Sequence, residues 1–387
     1  MKNKLTFNHS NLPLLILLGL MQFCNPRSPD SGGNTSEQEF YTMEDFGSLQ
    51  KYDVHMHLRK DFDTLFIEQA REDNFGFINV SVYSSTGTPP EQQEDFSLKL
   101  LEEFPGTVAY GTAFSLENFN GDQWQEQTIA YLDSSFSRGA IAVKVWKNIG
   151  MELRDESGDL VMIDDLRFDP ILDFIAGQGI TLIGHIGEPK NTWLPLDEMT
   201  VKGDRDYFSS YPQYHMYNLP EYPSYEEQVA ARDRMLEKHP DLRFVGAHLG
   251  SLEWSVEELG KRLDRFPNMA VDMAERISHL QHQAVTDWQR VYDFFIKYQD
   301  RLIYGTDLRT SASDIVAKEL TDPEHIKDHA HEVWLRHWKF FTSDESMEVP
   351  KVTGTFKGLK LPREVVDKIY QKNAEKWFPL ITDYIKH

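Results

Sequence analysis

Residues 52–58 read YDVHMHL, in which His55 and His57 alternate with Val54 and Met56. Alternation at a period of two belongs to a strand and puts both imidazoles on one face. Seven more runs follow: FINVSVY (77–83), VAYGTAF (108–114), AIAVKVW (140–146), ITLIGHI (180–186), RFVGAHL (243–249), MAVDMA (269–274) and RLIYGTD (301–307). Most are apolar throughout, as strands covered on both faces of a parallel sheet are. Amphipathic stretches lie between them, among them DTLFIEQARED (63–73), SYEEQVAARDRMLEKH (224–239) and VTDWQRVYDFFIKY (285–298). Eight strand–helix alternations without a linker predict an α/β fold, a single (β/α)8 TIM barrel over residues 42–387, with His55 and His57 pointing inward.

About 250 residues suffice for such a barrel. The surplus falls in two segments, 188–223 after the fifth strand and 308–361 after the eighth, the second with a helix inside it. Both follow strand C-terminal ends, where barrel enzymes build their sites, which makes both candidate lids over a small-molecule substrate. The first carries Trp193, Tyr207, Phe208, Tyr211, Tyr214, His215, Tyr217 and Tyr222. Aromatics at irregular spacing suit a cover over a sugar-like or aromatic substrate and suit a subunit interface equally well, so an oligomer stays open.

Composition narrows the function further. Asp and Glu number 62 against 40 Lys and Arg, a net charge of -22 that disfavours nucleic acid and anionic membrane surfaces. No apolar run reaches the roughly 18 residues of a membrane span, which excludes an integral channel or transporter. Cys24 is the one cysteine, so neither an internal disulfide nor a CxxC site can form, and any metal must be held by His and carboxylates. Lys2 and Lys4 precede LPLLILLGLMQF (12–23), then comes Cys24, then NPRSPDSGGNTSEQ. We read residues 1–24 as a signal peptide and 25–41 as a flexible tether. A Cys directly after the apolar run resembles a bacterial lipoprotein signal, although Met21, Gln22 and Phe23 depart from the small residues usual there. That resemblance implies an exported protein facing the periplasm or cell surface, attached to the membrane only through a lipidated Cys24.

An HxH pair is weak evidence by itself. His329 and His331 form a second one in DHAHEVWLRHW, whose pattern is helical, so the two rings face apart and no shared ligand is expected. The first pair gains weight from His185 in LIGHIG, His248 in FVGAHLG and Asp307 in IYGTDLR, each at the end of an apolar run. Imidazoles and a carboxylate gathered from the ends of strands one, five, six and eight can chelate a divalent cation.

With these residues in view, HMH, GHIG, GAHLG and YGTD resemble the amidohydrolase superfamily. More narrowly they resemble its branch of lactonases, amide and ester hydrolases and aminocarboxymuconate-semialdehyde decarboxylase-like enzymes. The ending GLKLPREVVDKIYQKNAEKWF (358–378) is similar to that branch's closing helix. The resemblance implies a divalent metal, usually zinc, one ion or two, on His55, His57, His185 and Asp307. It implies that His248 polarises substrate, passes protons or binds a second metal, and that Asp307 takes a proton from water.

Lys144 in VKVW matches a fourth-strand lysine that in parts of the superfamily is carbamylated and bridges two metals. Its ammonium could instead hold a substrate carboxylate or oxyanion. Glu188, in GHIGEP, could orient a ligand imidazole or contact substrate, and Trp193 is the nearest aromatic for a substrate wall. The expected activity is hydrolysis of an amide, ester or lactone. The alternative is a metal-dependent non-oxidative decarboxylation on the same barrel. A silent binding protein fits less well, because buried imidazoles without a metal would lack partners.

Overall fold

The computed structural model describes residues 39–59, 64–309 and 322–386; the leader, Cys24 and the tether up to residue 38 lie outside them. All eight expected strands form: β1 Lys51–Met56, β2 Phe75–Val80, β3 Val108–Ala113, β4 Ala142–Val145, β5 Thr181–Gly184, β6 Phe244–Gly246, β7 Met269–Asp272 and β8 Leu302–Ile303. They pair in sequence order and in parallel. The ring is drawn shut where Val54 N–H donates to Tyr304 O (3.1 Å), Asp307 N–H to His55 O (2.8 Å) and His57 N–H to Leu308 O (3.0 Å). The chain is a (β/α)8 barrel.

Helices α1 Thr64–Glu72, α2 Pro90–Glu103, α3 Trp124–Ser137 and α4 Asp169–Gly177 follow the first four strands. After β5 come α5 Lys202–Ser210 and α6 Tyr225–Lys238, after β6 α7 Val256–Arg265, after β7 α8 Ile277–Thr286 and α9 Trp288–Lys297, and after β8 α10 Pro323–Thr342. The amphipathic stretch 285–298 forms α9, capped by Asp287, whose carboxylate accepts from Arg290 N–H (3.1 Å), and α8 precedes it. Among the described residues no helix is long and apolar enough to cross a membrane.

Two apolar layers hold the barrel. Outward residues such as Phe77, Val143, Leu182, Phe244 and Leu302 pack under the helices, while Ile78, Ala142, Ile183, Val245 and Ile303 fill the interior with Phe378, Ile381 and Ile385 of the C-terminal segment. That segment plugs one end, with Lys386 N–H donating to Gly106 O ahead of β3 (3.1 Å), and leaves the C-terminal face for polar groups.

Simple alternation fails at one place in β1. Its register against β2 slips between Asp53 and Met56. Val54 packs with the interior cluster and Met56 with the outer one, yet His55 and His57 both reach the polar centre. A bulge re-aims side chains in this way. Here it lets Val54 and His55, neighbours in sequence, share the inside.

Candidate active site

The four polar strand ends gather as their positions require. Three side chains reach Asp307 or its neighbour: His57 Nε2 is 3.1 Å and His55 Nε2 3.9 Å from Asp307 Oδ1, and the His55 and His248 rings lie 4.9 Å apart. His185 sits against His248, ring to ring at 4.3 Å. Two triads have donor atoms close enough to share an ion, His55–His57–Asp307 and His55–His248–Asp272. His185 belongs to neither and joins the group through His248.

The hydrogen bonds on the far side of each ring decide which nitrogen is free. His57 Nδ1–H donates to Val80 O (2.7 Å), His248 Nδ1–H to Ala274 O (2.8 Å), and His55 Nδ1–H to Asp272 Oδ2 (2.8 Å). Each Nε2 therefore keeps its lone pair for the centre, the arrangement that metal-ligating histidines use. Burial holds His57 down at about 4, His248 at about 3 and His185 well below the usual imidazole range, so all three are neutral at pH 7. Burial alone would raise Asp307, but its closeness to His57 and the other rings holds it well below the usual carboxylate range, and the Lys144 ammonium favours its charge as well. Neutral imidazoles with lone pairs turned inward beside an ionised carboxylate form a site for a divalent cation.

Two carboxylates escaped the sequence reading. Asp272, the last residue of β7, grips His55 through Oδ2 and accepts from His248 N–H (2.8 Å) and Ala274 N–H (3.1 Å) through Oδ1. Burial opposes its charge, yet the neighbouring His55 brings it to about 2. The one polar residue within MAVDMA was the available signal. Asp53 faces the other way, accepting from His55 N–H (3.2 Å), Thr306 N–H (3.0 Å), Thr306 Oγ1–H (2.6 Å) and Trp334 Nε1–H (3.1 Å). It fastens the β1 bulge to the turn that carries Asp307.

His248 and Asp307 stand on unusual backbone. His248, Leu249, Gly250 and Ser251 all have positive φ, 59°, 59°, 61° and 56°, one left-handed turn directly after β6, and Asp307 has φ 63°. Such a conformation is unfavourable for side-chain-bearing residues. It is held by Asp272 at its start and by Arg232, which donates to Gly250 O, and Tyr225, which donates to Ser251 O, at its end. Ser251 Oγ–H donates to Ile186 O (2.8 Å), tying this turn to the one carrying His185.

Lys144 projects inward from β4, and its ammonium donates to His55 Nε2 (3.1 Å). Burial lowers it to about 8, with Asp272 and Asp307 pulling the other way. The centre opens into a cavity of about 590 Å³, walled by Lys144, Glu188, Tyr207 and Phe208 among others. Glu188 lines it but is ion-paired with Lys147. Trp193 lies on the 3-10 turn Lys190–Trp193, where its Nε1–H donates to Pro223 O (3.3 Å) and its ring meets Tyr225. The second HxH pair diverges as expected: His331 bonds Asp73 (2.9 Å), whereas His329 lines a smaller adjoining cavity.

A family model described as amidohydrolase matches residues 119–380, well over half of the chain. The chain belongs to the amidohydrolase family. The match begins after β3, so His55 and His57 lie ahead of it, while Lys144, His185, His248, Asp272 and Asp307 lie within it. Among solved structures, an amidohydrolase II is 13% identical with a TM-score of 0.49, covering 85% of this chain and 99% of that one. A 4-oxalomesaconate hydratase from Rhodopseudomonas palustris is 12% identical with a TM-score of 0.48, covering 86% and 97%. A dihydropyrimidinase from Brevibacillus agri is 15% identical with a TM-score of 0.40, covering 72% and 61%. No protein of curated function matches the chain in sequence. Family membership and the His–Asp cluster together indicate a metal-dependent enzyme of this superfamily.

Proposed function

We propose that this amidohydrolase adds water to the carbonyl of an amide, ester or lactone, using one zinc ion, or two, on His55, His57, His185 and Asp307. The observation carrying the reading is Asp307: an ionised carboxylate 3.1 Å from a neutral imidazole, on the wall of the 590 Å³ cavity. A bound divalent cation supplies Lewis acidity and makes water a nucleophile near neutral pH. Asp307 accepts the proton of the attacking water and returns it to the leaving group. His248 faces the same space with Nε2 free and can hold the carbonyl oxygen or relay the proton. Lys144 places a positive charge where an oxyanion develops, and Glu188 stays on the wall as a substrate contact.

The test is Asp307→Asn with a panel of lactones, esters and amides. The amide keeps the volume but cannot take the proton, so kcat should fall about a hundredfold or more. Wild-type turnover in heavy-oxygen water should put the label into the product acid. Carbon dioxide release from carboxylic acids, with no turnover of the panel, would replace hydrolysis by decarboxylation. We further infer export with lipidation at Cys24. Palmitate labelling of the full chain in a bacterial host, lost in Cys24→Ala, tests that.

A further inference from the structure

The smaller cavity, about 230 Å³, lies next to the large one, and Glu275, Ser278, Asp307, Arg309 and Lys351 line both. Asp307 thus stands where the two chambers meet. The side chamber is roofed from α10 by Val333, Arg336 and His337 and floored by Ile277, Val349 and Pro350. Its charge runs against that of the chain. In a protein of net charge -22, the chamber carries Arg309, Arg336 and Lys351 against Glu275 and Asp307. Lys351 Nζ is 2.6 Å from Glu275, which takes one positive charge. Arg336 forms no ion pair among the described residues. Ile277, Leu308, Val333, Val349 and Pro350 give the chamber its aliphatic surface, and neutral polar side chains such as Gln281 and Thr306 complete the lining.

Resting on the hydrolase reading, we infer that the substrate carries a carboxylate on a short apolar arm, and that this carboxylate seats in the side chamber against Arg336 and Lys351 while the carbonyl lies over Asp307. Apolar walls with a few placed cations are how a pocket binds an amphiphilic acid. Because Glu275 neutralises one of the cations, the chamber suits a singly charged carboxylate better than a phosphate dianion. Arg336 is partly exposed and Lys351 sits on a loop, so neither is needed for the core.

The experiment uses the metal-loaded full chain and two matched lactones, one ending in a carboxymethyl arm and one in its neutral carboxamide, with inorganic phosphate as a competing anion. The acid should be turned over with a KM about tenfold or more below that of the amide. Arg336→Gln and Lys351→Met should each raise KM for the acid by about tenfold, and raise KM for the amide far less. Equal KM for acid and amide, or variants that change neither, would overturn the chamber assignment while leaving hydrolysis standing. Tighter competition by phosphate than by glutarate would overturn the carboxylate. If neither lactone is hydrolysed, calorimetric binding of glutarate still decides: weakening about tenfold in Arg336→Gln upholds the chamber although the hydrolase reading has failed, and unchanged binding rejects both.

Discussion

Asp272 Oδ2 lies 2.8 Å from His55 Nδ1, and both groups are fully buried. A carboxylate there obliges His55 to carry its proton on Nδ1 and to present Nε2 to the centre. The same side chain receives the backbone N–H of His248 through its other oxygen, so one residue of β7 sets two of the site's rings.

Asp272→Asn should therefore weaken metal binding by about 10- to 100-fold, the usual effect of removing a ligand's carboxylate partner. The amide can turn either its oxygen or its nitrogen to His55, and the wrong choice puts the imidazole proton on Nε2. Competition with a chelator, read as bound divalent metal per chain, measures this. An unchanged affinity would mean that His55 does not ligate.

The two HxH pairs should behave oppositely. His55→Ala or His57→Ala should strip bound metal and activity together, because each removes a ligand atom near Asp307. His331→Ala breaks only its bond to Asp73 and should keep the metal, as should His329→Ala in the side chamber. Full metal content in the first pair of variants would refute the assignment.

Acid should destabilise the metal-free protein through its buried imidazoles. Burial holds His57 at about 4 and His248 and His337 at about 3, below an ordinary value near 6.5. Their stability contribution is complete above that ordinary value and is lost as pH falls toward the folded values. Asp53 has the opposite sign: burial raises it to about 6, so its contribution is present below about 4 and lost as pH rises through 6. Three imidazoles outweigh one carboxyl, and stability should drop by a few kcal/mol between pH 6.5 and 4. His337→Gln keeps an oxygen for the Tyr304 hydroxyl, which lies 3.0 Å from His337 Nδ1, and does not titrate. Its denaturation midpoint should fall less steeply with acid, and an identical slope would count against a neutral His337.

The barrel and the five polar residues at four strand ends were legible because each depends on local pattern: an apolar run, then a His or Asp where it stops. Asp272 was missed because Met273 and Ala274 carry the apolar run on past it, so it does not stand where the run stops. The β1 bulge was not legible at all. It arises from Asp53 being held outside by Thr306 and Trp334, residues over 250 positions away, and no local window contains that bond. Nor does any local pattern say how the 3-10 turn Lys190–Trp193 aims the Trp193 indole.

The left-handed turn after β6 yields the last expectation. Gly250 has φ 61°, and a Cβ there would meet Met269 Cε at 3.2 Å and Arg232 Nη1 at 3.3 Å, while a Cβ on Gly246 would meet Gly250 Cα at 2.8 Å. Gly250→Ala must accept a strained backbone and press on the guanidinium that anchors the turn, at a cost of about 1–3 kcal/mol. Part of that strain can be released by rotating His248 out of its place. Its signature should be a kcat loss larger than the stability loss explains, with metal content kept, because His55, His57 and Asp307 stand on other strands. Arg232→Lys, which keeps a donor near Gly250 O, should retain more activity than Arg232→Met. If Gly250→Ala and both Arg232 variants lose activity only in proportion to unfolded protein, the turn is a structural feature and His248 does not depend on it for its aim.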